Sequence, residues 1–510
     1  MEPFTVLTAS FIGIIVLAFL FAFKRNKYWA DRGIHQYKPL PFMGDMLPVI
    51  LRQKTLGELL MEMCRALPNE KVIGFYFFMK PSLLVNDIEL VEKVFIKDFP
   101  HFSDRGPQPN VETETMHMNL FNTGGNLWRA VRNRFSPMFT TGKLRFMFPQ
   151  VSGIGEGFMD LLNTKNEKVD MVDYFGKFAM EVIGATAFGL EGRAMEENSE
   201  FREKGKKIFE PSFSSFMRFT LGPSLLRALG VPPTPKEMLQ YFGPAVKNAL
   251  KYRRENGVIR HDFIQHMVTL QQKGSIEVDK DDVSDEILMM DHVPEMKVEM
   301  SDELMIGQSM GFMVAGFDAT ALSMGWLCYE LARHPDIQSK ARQEVKEVME
   351  KHGNRLDYDT VREMKFLSYC LKENGRLHSA LDSNFRMVTK PYKVPDTSAV
   401  LERGAFVYIP ILSVHMDPKF YPEPERFLPE RWGPENDRPS CTYLPFGTGP
   451  RMCIAMRFAN MEMMCAISKL LMNFEVSLHP SVRLPPQIEP FSFFTYPREK
   501  IYFNLKKLRT

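Results

Sequence analysis

The chain is 510 residues long and sets 64 lysines and arginines against 62 aspartates and glutamates, a net charge of +2. That balance gives no electrostatic case for nucleic-acid binding. Its six cysteines contain no C-x-x-C pair, which excludes a disulfide scaffold and a zinc module. The 42 phenylalanines and 35 methionines suit an adaptable apolar cavity, or simply a Phe-rich core.

In chain order, the first element is FTVLTASFIGIIVLAFLFAF, Phe4 to Phe23, an uncharged apolar run of 20 residues. As a helix it is long enough to span a bilayer, and Lys24, Arg25, Lys27 and Arg32 behind it put the following chain in the cytosol. The expectation is an anchor over 1–24, a proline-rich connector over 25–49 that includes YKPLPFMGDMLP, and one large domain over 50–510. Short β-like runs follow at Val72–Phe78, Pro81–Asp87 and Ala405–Ile411. WRAVRNRFSPMF, from Trp128, reads as a basic amphipathic helix. Between Gly124 and Phe148 stand Arg129, Arg132, Arg134, Lys143 and Arg145 with no acid, a surface that would steer an acidic partner. EVDKDDVSDE, Glu277 to Glu286, reads as a solvated loop. Asp302 to His334 reads as one long apolar helix through the domain interior, capped by Ser301. Val361 onward reads as another helix, with Asn374-Gly375 as an unfavourable pair inside it. The fold class is mainly α with a smaller β part.

Near the C-terminus stands YLPFGTGPRMCIAMRFA, Tyr443 to Ala459. Phe446, Gly447 and Gly449 make a turn that can approach a flat ligand closely. Cys453 is expected to open a helix over Met452–Leu471, where the helix dipole and Arg451 favour thiolate over thiol. A buried structural cysteine is the competing reading.

The pattern F-G-x-G-x-R-x-C resembles the haem-binding signature of the cytochrome P-450 superfamily, here with Ala455 where that family usually has glycine. Other segments are similar in the same order. Glu373 and Arg376 resemble the family's E-x-x-R ion-pair motif, which takes a second arginine from a P-E-R-F segment. Arg426 is the literal match, and spacing to Cys453 favours Arg431. Trp128 and Arg132 resemble the W-x-x-x-R clamp on haem propionates; Arg386 and Arg451 match two further positions, and Arg105 is a weaker one. Ala315-Gly316-Phe317-Asp318-Ala319-Thr320 resembles the oxygen-binding segment of the long helix, but Ala319 stands where the family has threonine. Thr320 is one residue late, about 100° round the helix.

The whole chain looks like the arthropod microsomal, xenobiotic-metabolising branch. That resemblance implies a haem-thiolate monooxygenase with haem b ligated by Cys453. It implies an apolar small-molecule substrate, an endoplasmic reticulum membrane location with the body in the cytoplasm, and no nucleic acid as partner. The chain has no nucleotide-binding fingerprint of its own, so electrons are expected from a partner; the resemblance implies NADPH-cytochrome reductase, a flavoprotein, with cytochrome b5 as a candidate second donor. The missing threonine keeps two alternatives open: a haem-thiolate peroxide isomerase or dehydratase, and a non-catalytic haem- or ligand-binding protein. Cavity walls are expected around Val111–Phe121, Phe209–Phe219, Gly311–Ala319 and Phe493-Phe494.

Overall fold

A computed structural model describes the chain except residues 1–2, 111–113, 166, 191, 208–224, 227, 229, 231–235, 278–296, 436–437 and 509–510. The expected cavity wall at Phe209–Phe219 and most of the acidic loop Glu277–Glu286 lie outside the described residues.

The apolar N-terminal run forms α1, Pro3–Arg25. Phe11, Ile14, Leu17 and Leu20 on it are all more than half exposed. The residues behind it are docked rather than a free connector. Trp29 is buried and donates to the Phe75 carbonyl at 3.2 Å, Tyr37 N–H donates to Gly74 O at 2.9 Å, and Tyr76 N–H donates to Asp45 at 2.7 Å.

Their platform is β1, Val72–Phe77, and β2, Lys80–Val85, antiparallel with Val72 opposite Val85. The sheet is completed by β3, Asn384–Met387, and β4, Phe406–Ile409, in the order β1-β2-β4-β3. β4 runs parallel to β2 and antiparallel to β3. The apolar runs are therefore strands because nearly every side chain of β1 is covered on one face or the other. A second sheet pairs Phe474–Leu478, Tyr502–Lys507 and Val169–Asp170.

The helical layer holds the main core. It includes α2, Gly125–Phe135; α3, Thr141–Asn163; α4, Met171–Ile183; α5, Asp302–Gly316; and α6, Asp318–Arg333. It continues with α7, Lys365–Leu377, and α8, Met456–Asn473. The Ser301 hydroxyl caps α5 by accepting from Leu304 N–H at 3.3 Å. The stretch Asp302–Arg333 is long and apolar enough to cross a membrane, yet most of it is buried in the core.

Two expected helices are each divided. The first breaks at Phe317, where ψ is −70°, and its ladder resumes with Ala321 N–H on Phe317 O at 3.1 Å. The Phe317 ring is wedged against Gly176 of α4: a Cβ on that glycine would lie 3.1 Å from it. Tertiary packing there overrides an otherwise uniform helical pattern. The second is Tyr358–Glu363 and then α7, separated by the fully buried Met364 at ψ 75°. Within α7, Gly375 is explained by contact: a Cβ there would sit 2.9 Å from the Tyr443 hydroxyl. Asn374 is used as well, donating to Ser323 O of α6 at 2.9 Å.

On α5, Gly307 and Gly311 let the helix touch the loop over residues 114–123. Cβ atoms at these positions would lie 2.4 Å from Met118 O and 2.6 Å from Asn119 Cβ. Gln308 adds a hydrogen bond to Met118 O at 2.6 Å. Backbone carbonyls cannot rotate away, so Gly307→Ala is expected to overpack this contact by about 1–3 kcal/mol. That exceeds the gain of about 1 kcal/mol in helix propensity. A lowered thermal midpoint for this variant checks the contact, and an unchanged or raised midpoint contradicts it.

Candidate active site

Cys453 lies in the turn before α8, not at its start: the helix begins at Met456, and Ala455 is its N-cap. The turn is closed by Cys453 N–H donating to Phe446 O at 2.9 Å. Gly447 and Gly449 take φ of 67° and 70°, the left-handed region that a side chain disfavours. A Cβ at Gly449 would also fall 2.1 Å from Phe95 O. Ala455 contributes its backbone, since its N–H donates to the Cys453 sulfur.

The expected thiolate is not favoured by the protein alone. Burial pushes the Cys453 thiol up, against the Ala455 hydrogen bond and the charges of Arg132 and Arg105. A bound metal cation reverses that preference, because a coordinating thiol is deprotonated outright. Arg451 does not serve the sulfur. Its guanidinium donates to Ser103 O at 2.8 Å, Leu120 O at 3.0 Å and Thr123 O at 2.7 Å, and stacks 4.1 Å over the Trp128 ring. Arg451 and Trp128 thus tie the cysteine loop to α2 and to the loop before it.

The cations around this turn are short of anions. Arg386 is almost fully buried, donates to Asn384 Oδ1 at 2.7 Å and Phe385 O at 2.8 Å, and leaves its buried Nε without a partner. Arg105 donates to Arg451 O at 3.3 Å and lies 4.2 Å over the Phe121 ring, and its Nε is likewise buried and unpartnered. Burial pulls Arg105 down to about 10, with Arg132 repelling it and the Cys453 sulfur opposing. Burial, then repulsion from Arg105 and Arg451, pulls Arg386 well down. Among the described residues neither Arg105 nor Arg386 has an ion pair; Asp104, 3.7 Å from Arg451, serves that residue. Orphaned guanidinium donors beside a sulfur and a glycine cradle fit a flat group that carries carboxylates, as haem does.

On the core helix pair, Ala315 is exposed and Ala319 half-buried. With Gly307 and Gly311 they form a stripe of small residues at spacing four. Thr320 is buried, 4% exposed, and off that stripe. Asp318, also 4% exposed, accepts a hydrogen bond from the Tyr496 hydroxyl. Burial raises its carboxyl to about 7, against that bond and Lys206. Phe121 and Phe493 meet edge to face at 6.1 Å.

Behind the cysteine loop lies a buried ion cluster. Glu373 and Arg376 are both fully buried and joined by two hydrogen bonds of 2.8 and 3.0 Å. Arg431 Nε donates to the same carboxylate at 2.8 Å, whereas Arg426 is exposed and paired with Glu423. Arg426 contributes only its carbonyl, to Arg376 at 3.2 Å. Sequence reasoning missed two members. Trp432 donates its indole N–H to Glu373 at 2.9 Å, a role its place beside Arg431 could have suggested. His415 donates from Nδ1 to Arg376 O at 3.0 Å and accepts at Nε2 from Leu444 N–H at 2.9 Å, so it is neutral in one tautomer. Burial, then Arg376, drives its pKa down to about 3.

The expected basic docking surface is thinner than the sequence suggests. Arg129 is buried, Arg132 is partly buried and felt by the sulfur, and exposed Arg145 pairs with Asp359 at 2.7 Å. Lys143 remains exposed.

The ion cluster separates the two arginine candidates by measurement. Arg431→Ala is expected to cost about 3–5 kcal/mol in chemical unfolding, since it breaks a buried charge pair. Arg426→Ala is expected to change stability by no more than about 0.5 kcal/mol. Equal losses from the two variants would contradict the arrangement.

A family model described as Cytochrome P450 matches residues 35–505. The chain is 32% identical over 486 residues to Cytochrome P450 6k1 of Blattella germanica, covering 93% of this chain and 92% of that protein. It is 32% identical over 501 residues to Cytochrome P450 6B6 of Helicoverpa armigera, covering 97% of each. It is also 32% identical over 520 residues to Probable cytochrome P450 6a14 of Drosophila melanogaster, covering 98% of this chain and 99% of that protein. With the sulfur, the glycine cradle and the carboxylate-seeking arginines in one place, these matches establish that the chain belongs to the cytochrome P450 family of haem-thiolate monooxygenases.

Proposed function

We propose that this chain oxidises an apolar small molecule at the endoplasmic reticulum membrane, with electrons from NADPH delivered by a membrane-bound flavoprotein reductase and cytochrome b5 as an auxiliary donor. One observation carries the reading: a partly buried sulfur on a glycine turn stands beside Arg105, and the buried Nε atoms of Arg105 and Arg386 have no partner among the described residues. Cys453 supplies the thiolate, Phe446, Gly447 and Gly449 the cradle, and the orphaned Arg105 and Arg386 the carboxylate contacts, joined by Arg132, whose charge is felt by the sulfur. Trp128 and Arg451 hold that frame, and Glu373, Arg376 and Arg431 stabilise the layer behind it.

When bound, haem supplies dioxygen activation and one-electron chemistry. The chain supplies the rest. The wall from Ala315 to Ala319, with Phe121 and Phe493, excludes water and selects apolar substrates. Asp318, raised toward neutrality, is suited to give up a proton at working pH. Ala319 offers no hydroxyl on the groove face, and Thr320 is buried elsewhere. Proton delivery therefore runs through Asp318, water or the substrate.

Two experiments test this reading. In a reconstituted reaction with reductase, the wild type is expected to consume NADPH and to spend part of its electrons reducing dioxygen to hydrogen peroxide. Ala319→Thr should raise product formed per NADPH consumed, with little change in substrate binding. Complete coupling in the wild type, or a lower ratio in the variant, would overturn the relay argument. Conversion of a lipid hydroperoxide without reductase and without NADPH turnover would replace monooxygenation by peroxide isomerisation. Separately, removing Met1 to Phe23 should release most of the protein from membranes and leave the carbon-monoxide spectrum of thiolate-ligated haem intact. That outcome follows from the exposed apolar face of α1 and the basic residues after it. Loss of the spectrum would contradict a haem domain independent of α1.

A further inference from the structure

The one described hydrogen-bond partner of the Asp318 side chain comes from far along the chain: Tyr496, 178 residues away, donates its phenol O–H to Asp318 Oδ1. Asp318 is 4% exposed and Tyr496 only half-buried, so the phenol joins a closed carboxyl to a residue that keeps some contact with solvent. The bond is not needed to hold that loop. Trp326 donates to Thr495 O at 3.0 Å, and Thr495 donates to Ser379 O at 2.8 Å and to Ala380 O at 3.1 Å. Glu489 N–H donates to Tyr496 O at 2.8 Å. The tyrosine backbone is thus pinned on several sides, and its hydroxyl is placed on Asp318 by a frame that does not depend on it. On the stripe face of the same helix Ala319 carries no hydroxyl, and the next residue at that spacing, Ser323, commits its own to Ala319 O at 2.8 Å.

We propose that Tyr496 is a proton-relay residue acting through Asp318, so that this enzyme takes its catalytic proton from the C-terminal loop rather than from a hydroxyl on the core helix. The inference rests on the monooxygenase reading above. Inserting one oxygen atom of O2 and reducing the other to water consumes two electrons and two protons, and the reductase supplies only the electrons. Asp318 gives its proton to the groove and is recharged by the Tyr496 phenol. The phenol accepts a proton from solvent as it donates its own, so no phenolate forms. That concerted exchange matches the chemistry of the pair: burial and the neighbouring carboxyl raise the phenol further above its ordinary value. The other charge that acts on Asp318 is Lys206, which opposes the effect of burial.

Tyr496→Phe keeps the ring and removes the relay. Its first readout needs no turnover: the protonated-carboxyl infrared band of Asp318, identified by its loss in Asp318→Asn, followed against pH. The hydroxyl bond favours the charged form, so its removal should move the titration upward by about one unit, the order expected for a hydrogen bond to a charged group. The second readout is peroxide released per NADPH in the reconstituted holoenzyme, expected to rise severalfold while the ligand-induced shift of the haem absorption keeps its midpoint. An unmoved titration with unmoved coupling would overturn the proposal. So would a weakened ligand midpoint with unchanged coupling, because it would assign Tyr496 to the cavity wall alone. Absence of NADPH turnover in every variant, wild type included, would instead reject the monooxygenase reading, and the infrared titration would still decide whether Tyr496 controls Asp318.

Discussion

The carboxylate of Glu373 is the point on which the haem side of this protein depends. It is fully buried and accepts from Arg376, Arg431, the Trp432 indole and Leu428 N–H. The two arginines then spread to the carbonyls of His415, Pro424, Arg426, Pro422 and Glu423. A buried carboxylate with two guanidinium partners is expensive to desolvate, and it contributes little net stability over an apolar replacement. What it contributes is position. α7, the coil over residues 415–433 and, through His415, the start of the cysteine loop at Leu444 are oriented by one charge. Because every lone pair is committed, any movement of the loop would leave a charge exposed to a low dielectric.

The same logic runs in reverse on the ligand side. There the arginines are buried without enough anions, and they repel one another. A protein that folds with such a surplus stores it against a carboxylate-bearing group, so cofactor binding and electrostatic relief are one event. The sulfur follows suit. Burial alone holds Cys453 as a thiol, and the cation it ligates makes it a thiolate. Both halves of the site are therefore unfavourable alone and favourable together.

Much of this could be read in advance. The apolar N-terminal run, the strands from Val72 and Pro81, the Ser301 cap and the glycines before Cys453 follow from local rules, because alternation, capping and positive φ act over a few residues. The choice of Arg431 over Arg426 was favoured by spacing although the other was the literal match. Local rules failed where packing decides. Nothing in the apolar pattern of Asp302–His334 marks a break at Phe317, which follows from its ring meeting Gly176. Arg451, two residues before the cysteine in sequence, is spent on three carbonyls of the 103–123 region.

The sequence by itself determined which chemistry this chain is equipped for: a cysteine on a glycine turn, cations for carboxylates, and a core helix with an alanine in place of a hydroxyl. These are properties of residue types at short spacing, and they survive without coordinates. The tertiary structure alone decided which guanidinium nitrogens stay without a partner among the described residues, that Trp432 and His415 complete the ion cluster, and that Tyr496 reaches Asp318 across 178 residues. The reason is physical. Burial and partnership belong to the space between elements, and a charge or a hydroxyl acquires its working state only from what the fold places against it.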